Sequence, residues 1–109
     1  MNVRLYFWQR ASAAVMAPLV IVHLALVFYA TRKGLAAADI LSRTRGSFVW
    51  AAFYGAFVIA AALHASIGLR QILREWARAR GWALDALSWG TGLALLALGL
   101  RAVAGVVLA

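Results

Sequence analysis

Three long runs without Lys, Arg, Asp or Glu decide what this chain can fold into. Ala11 to Ala30 covers 20 residues, Ser47 to Leu69 covers 23, and Ala86 to Leu100 covers 15, with apolar character resuming after Arg101. Crossing roughly 30 Å of hydrocarbon takes about 20 largely apolar residues. Inside hydrocarbon every backbone polar group must be paired within the protein, which favours helices over irregular chain. The runs predict an all-α membrane protein: three transmembrane helices over about residues 5–30, 47–76 and 82–108, in up-down-up order, as part of a larger helix bundle. Residues 1–109 read as a single membrane domain. The first run is longer than a signal-peptide core and lacks a clear A-x-A-like site, so it is expected to be a retained helix.

Composition points the same way. Of 109 residues, 66% are hydrophobic, and a water-soluble chain this small could not hide so much apolar surface. The net charge of +8 would suggest nucleic acid in a soluble protein. Here most cations flank the apolar runs, where they meet anionic head groups and set orientation, so nucleic acid is not expected as a partner. There is no cysteine, so this chain alone can build no disulfide and no thiolate-held metal or iron–sulfur centre.

Arg4, Arg10, Arg70, Arg74, Arg78 and Arg80 fall on one side of the membrane. Arg32, Lys33, Arg43 and Arg45 fall on the other, with Arg101 near them. The dense cluster after the second span favours an N-terminus inside. The first loop holds Gly34 and a possible short helix, LAAADILSR. Gly81 separates the second and third spans. Pro18 lies within the first, where a kink is tolerated if neighbours satisfy the freed carbonyl. The glycines of GTGLALLALG suit close helix packing.

Ionisable residues within membrane spans are rare and tend to be functional. Two histidines qualify, His23 and His64. His64 precedes Arg70 by six residues, so it lies about 9 Å inside that boundary. Helical spacing puts Phe57, Ala60 and Ala61 on its stripe above, and Gly68, Gln71 and Glu75 below. Two readings are open. A flat haem could use the room beside these small residues and take the imidazole as axial ligand. Alternatively, the imidazole is hydrogen-bonded to a neighbouring helix and Gly68 serves packing. His23 follows Arg10 by 13 residues, hence lies about 20 Å from that surface and roughly 10 Å farther out than His64. Two axial ligands of one haem need similar depth, so His23 is either structural or serves a different haem. Arg10 could pair with a propionate or simply set topology among head groups. Asp85 suits the positive end of the third helix. No hydrolytic triad, phosphate-binding glycine loop or carboxylate pair is visible.

The stretches QRASA, Gln9 to Ala13, and LHASIGLRQILREW, Leu63 to Trp76, resemble the membrane-anchor subunits of succinate dehydrogenase and fumarate reductase. C-type anchors carry H-R-x-S-G and H-x-x-x-G-x-R; D-type anchors carry R-A-T-A and H-x-x-x-G-x-x-x-x-x-x-D-Y. Arg10-Ala11-Ser12-Ala13 and His64, Gly68, Glu75 and Trp76 lean to the D type, while Arg70 after Gly68 has a C-type flavour. The resemblance covers nearly the whole chain.

It implies a haem b-binding cytochrome anchor in a bacterial cytoplasmic (inner) membrane, serving electron transport and the tricarboxylic acid cycle. His64 would be the axial ligand of the haem iron, beside Gly68, and Arg10 would hold a propionate. Glu75 and Trp76 stand where D-type anchors place an Asp-Tyr pair beside the quinone, ubiquinone or menaquinone. The phenol is thus replaced by an indole, which keeps one N–H donor. Ser12 would be a weaker quinone contact, and His23 would match the ligand of an outer haem in two-haem members. The implied partners are a second anchor subunit, an iron–sulfur subunit, a flavoprotein subunit and membrane lipids. Two rival classes stand beside this one: a haem-free structural anchor, and a small transporter-like subunit with the histidines on a proton path.

Overall fold

A computed structural model of the chain describes residues 2–108. It is 88% helical, and the described residues contain no strand. The elements in order are α1 (Val3–Lys33), α2 (Ala37–Thr44), α3 (Phe48–Glu75) and α4 (Gly81–Val107). The helices α1, α3 and α4 are each long and apolar enough to cross a membrane. They run up, down and up through a body 47 Å long, a length that matches a bilayer of about 40–45 Å including its head-group layers. The chain is a membrane-spanning protein.

Local chemistry sets the helix ends. The Asn2 side chain accepts from Leu5 N–H at 2.9 Å, an N-cap that starts α1 two residues before the expected boundary. Gly34 ends α1 in the left-handed region, with φ 65°. Leu35 N–H then donates to Ala30 C=O at 3.0 Å, which satisfies a carbonyl the helix would otherwise leave bare. The expected short helix in the first loop is α2, where the Asp39 carboxylate accepts from Ala36 N–H at 2.9 Å. Ser47 caps α3 by accepting from Trp50 N–H at 3.2 Å. Pro18 lies within continuous α1 on an exposed face.

Helix α3 is the centre of the molecule. It packs against both α1 and α4, which make little contact with each other. Along the α3–α4 seam, the Ser66 hydroxyl donates to Ser88 C=O at 2.7 Å. Two glycines bring the backbones close. A Cβ on Gly92 would meet Ser66 at 3.2 Å, and one on Gly99 would overlap the Val58 side chain. The expectation that these glycines serve packing therefore holds for Gly92 and Gly99. Gly90, in the same stretch, faces open space.

The far end of α4 is closed by the first loop. Thr44 Oγ1 donates to Val106 C=O at 2.6 Å, and Gly46 N–H donates to Val107 C=O at 2.6 Å. The last carbonyls of a helix have no partner within it, so these two bonds anchor α4 to the α2 end of the loop. Little apolar surface is buried within the chain. Only 6%, 11% and 6% of the most apolar windows of α1, α3 and α4 are buried, so their remaining faces are left to lipid or to other chains.

A side chain at Gly99 has to displace the stiff, branched Val58, and overpacking of this kind typically costs about 1–3 kcal/mol. Gly99→Leu should therefore lower the unfolding midpoint in detergent, whereas Gly105→Leu, in open space, should leave it nearly unchanged. Equal midpoints for the two variants would contradict the packing described.

Candidate functional site

His64 lies in the seam between α3 and α1 and is half-buried. Its Nδ1 is 3.3 Å from the Ser12 hydroxyl. Ser12 is 4% exposed, and its Oγ also lies 3.0 Å from the Gln9 carbonyl. The second ring nitrogen, Nε2, has no hydrogen-bond partner among the described residues. It is not among the fully buried orphans either, so it reaches the chain's own surface. One of the two sequence readings of His64 is thus met: one ring nitrogen is tied to the neighbouring helix.

Gly68 does not leave an open slot beside that ring. A Cβ there would meet Gln9 Nε2 at 3.3 Å, so the glycine notch is filled by a side chain of this same chain. Ala60, on the histidine's stripe, is buried as well. A macrocycle on His64 would therefore stand outside the α1–α3 pair, against another chain, rather than between these two helices. The Gln9 Oε1 atom is buried without a partner. Sequence reading missed Gln9, whose only signal was its place one turn before Ser12.

The other expected site residues are not gathered at His64. Arg10 is two residues from Ser12, hence about 200° around α1 from it. It is exposed, with its guanidinium over the Tyr6 ring at 5.7 Å. Glu75 accepts from the Gln71 side-chain amide at the end of α3. Trp76 follows and is 84% exposed. These two remain together at the membrane edge, and any pocket there needs walls from other chains.

Two charged residues behave differently from expectation. Arg70 stood in the head-group cluster, and Asp85 needed only the dipole of its helix. Instead Arg70 Nη1 and Asp85 Oδ1 form an ion pair at 2.7 Å between α3 and α4. Arg4 shares a cleft of about 450 Å³ with this pair, walled by Trp8 and Trp89.

His23 sits at the other end of the α1–α3 seam. It meets Phe57 edge-on at a centroid distance of 5.7 Å and Tyr54 at 6.1 Å. Tyr54 in turn stacks on Trp50. His23 Nδ1 is buried without a partner, and cavities of about 240 and 340 Å³ open beside the ring. The His23 ring meets Tyr54 and Phe57, which precede His64 by 10 and 7 residues, so the two imidazoles lie roughly 10–15 Å apart in depth. The expected stagger is present. One haem cannot be clamped between them within one chain.

Among the described residues, no group of three or more His, Cys, Asp or Glu could hold a metal ion. The donor this chain offers at His64 is a single imidazole nitrogen, which suits iron already held in a macrocycle. Compared with protein-family models, curated proteins and solved structures, the chain has no match.

The Gln9–Gly68 contact gives a direct test. Gly68→Ala, which gains about 1 kcal/mol of helix propensity, should stabilise the wild-type chain less than it stabilises a Gln9→Ala background, with a coupling of about 0.5–1 kcal/mol in the double-mutant cycle. Strictly additive effects would mean that Gln9 does not occupy the notch.

Proposed function

We propose that this chain is a haem b-binding membrane-anchor subunit of a succinate:quinone oxidoreductase. The observation that carries the reading is His64: an imidazole inside an apolar span, with Nδ1 held by the neighbouring helix and Nε2 open. Ionisable side chains at this depth need a partner, and a haem-ligating histidine needs just such a division of its nitrogens. The motif resemblance of Arg10 to Ala13 and of His64 to Trp76 supplies the reaction class. Bound there, a haem would carry single electrons between iron–sulfur centres and quinone.

This chain's own contribution is mechanical and electrostatic. Helices α1 and α3 fix the imidazole plane, and their apolar faces keep water from it. Because Gly68 is filled by Gln9, a haem held by His64 would need its remaining wall from a second anchor subunit. Glu75 and Trp76, exposed at one membrane edge together with Arg74 and Arg78, suit the surface where an iron–sulfur subunit docks, with the flavoprotein subunit beyond it. Trp76 offers an indole N–H to a quinone carbonyl there. The arginine distribution favours an N-terminus, and with it that edge, on the cytoplasmic side, in this reading of a bacterial inner membrane.

One observation favours the haem-free structural anchor as a second reading. The filled notch at Gly68 is also what two helices need simply to pack closely. A reduced-minus-oxidised absorbance spectrum of the purified complex separates the two. A b-type signal that disappears in His64→Ala supports the haem anchor, and a complex that reduces quinone without any such signal supports the tether. Trp76→Leu should slow quinone reduction about tenfold with haem content unchanged, roughly the effect of losing one hydrogen bond of 1–1.5 kcal/mol. Unchanged quinone kinetics would remove Trp76 from the site.

A further inference from the structure

The contacts at Ser12 fix more than the position of His64. A serine hydroxyl has one proton to give and lone pairs to receive with. Ser12 Oγ has two neighbours, the Gln9 carbonyl at 3.0 Å and His64 Nδ1 at 3.3 Å. A carbonyl can only accept, so the contact to Gln9 requires the hydroxyl proton. Once it is given there, Ser12 can only accept from His64, and Nδ1 must carry the ring's proton. The opposite assignment gives the hydroxyl proton to Nδ1, loses the bond to Gln9 and moves the ring proton to Nε2. That N–H would then project from an apolar helix with no partner among the described residues. The first assignment makes two hydrogen bonds and the second makes one. A donor left unpaired in an apolar setting loses its hydration with nothing to replace it. Ser12 is buried, so water does not offer the hydroxyl a third choice.

We propose that Ser12 is a positioning residue that locks neutral His64 in the Nδ1–H tautomer, so that the Nε2 lone pair points out of the α1–α3 seam as the coordinating nitrogen. The relay runs from His64 Nδ1–H to Ser12 Oγ, and from Ser12 O–H to the Gln9 carbonyl. Naming Nε2 as the atom that meets iron rests on the haem-anchor reading, whereas the tautomer itself does not. This assignment takes Ser12 away from the quinone, because its hydroxyl is committed on both sides inside the seam. Which nitrogen of a histidine is free is set by the bond the other one makes, and here that bond comes from a different helix. The sequence motif of α1 therefore acts on the chemistry of α3.

The experiment uses the full-length chain, labelled with 15N at histidine and reconstituted without haem in lipid bilayers, at a pH where the imidazoles are neutral. Protonated and unprotonated ring nitrogens resonate far apart, and His64 is identified by the signals lost in His64→Asn. The expected result for wild type is a protonated Nδ1 and an unprotonated Nε2. Ser12→Ala should shift His64 at least severalfold toward the Nε2–H form with the His23 signals unmoved, and Ser12→Thr, which keeps the hydroxyl, should restore the wild-type pattern. A wild-type His64 that is mainly Nε2–H overturns the proposal without recourse to any variant. So does a Ser12→Ala spectrum identical to wild type. Because the sample holds no haem, failure of the haem-anchor reading, seen as a complex without a b-type spectrum, is a separate result that leaves this one standing.

Discussion

Hydrocarbon offers no hydrogen bonds, and that constraint decides how the three spans meet. Each polar side chain carried into the apolar region has to find its partner in protein. Ser66 finds Ser88, Ser88 finds the Leu84 carbonyl one turn back, and Ser12 finds Gln9 and His64. Such bonds average only about 0.6 kcal/mol each within membranes. Their weight lies in register: slide α1 or α4 by one residue along α3 and the donors no longer face their acceptors. Close approach at Gly92 and Gly99 then supplies the packing that holds the register. Among the described residues, the two fully buried side-chain atoms without a partner, Gln9 Oε1 and His23 Nδ1, both lie in the α1–α3 seam, where the candidate site is.

The site is therefore divided between helices. Helix α3 brings the imidazole, α1 brings the groups that orient it, and the remaining face belongs to whatever lies beyond the chain. In the haem-anchor reading, a single chain of this kind supplies half of a binding site. Its two histidines, separated by roughly 10–15 Å in depth at 1.5 Å per helical residue, occupy distinct environments. His64 is held by the Ser12 hydroxyl, whereas His23 is boxed by the rings of Tyr54 and Phe57.

Much of this could be read from the sequence. The uncharged runs gave the three spans to within a few residues, because bilayer thickness leaves little choice of length. The stretch LAAADILSR announced α2, and Gly34 announced the end of α1. The seams were harder to read. Arg70 and Asp85 lie on different helices across a charged turn, and their meeting depends on the rotation of α3 against α4, which no local pattern encodes. Small residues at 60, 61 and 68 signalled a close approach, yet could not say that Gln9 rather than a ligand fills it. The tie from Thr44 to Val106 spans 62 residues and joins a loop to a helix end with no shared motif. Arg10 stands at the mouth of α1 on the side of His64, and the helical turn puts it on the face opposite Ser12.

The α3–α4 hairpin is fastened at both ends, by the Arg70–Asp85 pair at one and by Thr44 and Gly46 on the last carbonyls of α4 at the other. Helix α1 has no comparable clasp. It leans on one face of α3 and barely touches α4. The molecule is thus a braced frame with a single hinged arm, and that arm carries both groups that hold the His64 proton in place. A partner chain that pressed on α1 would retune the imidazole without disturbing the frame.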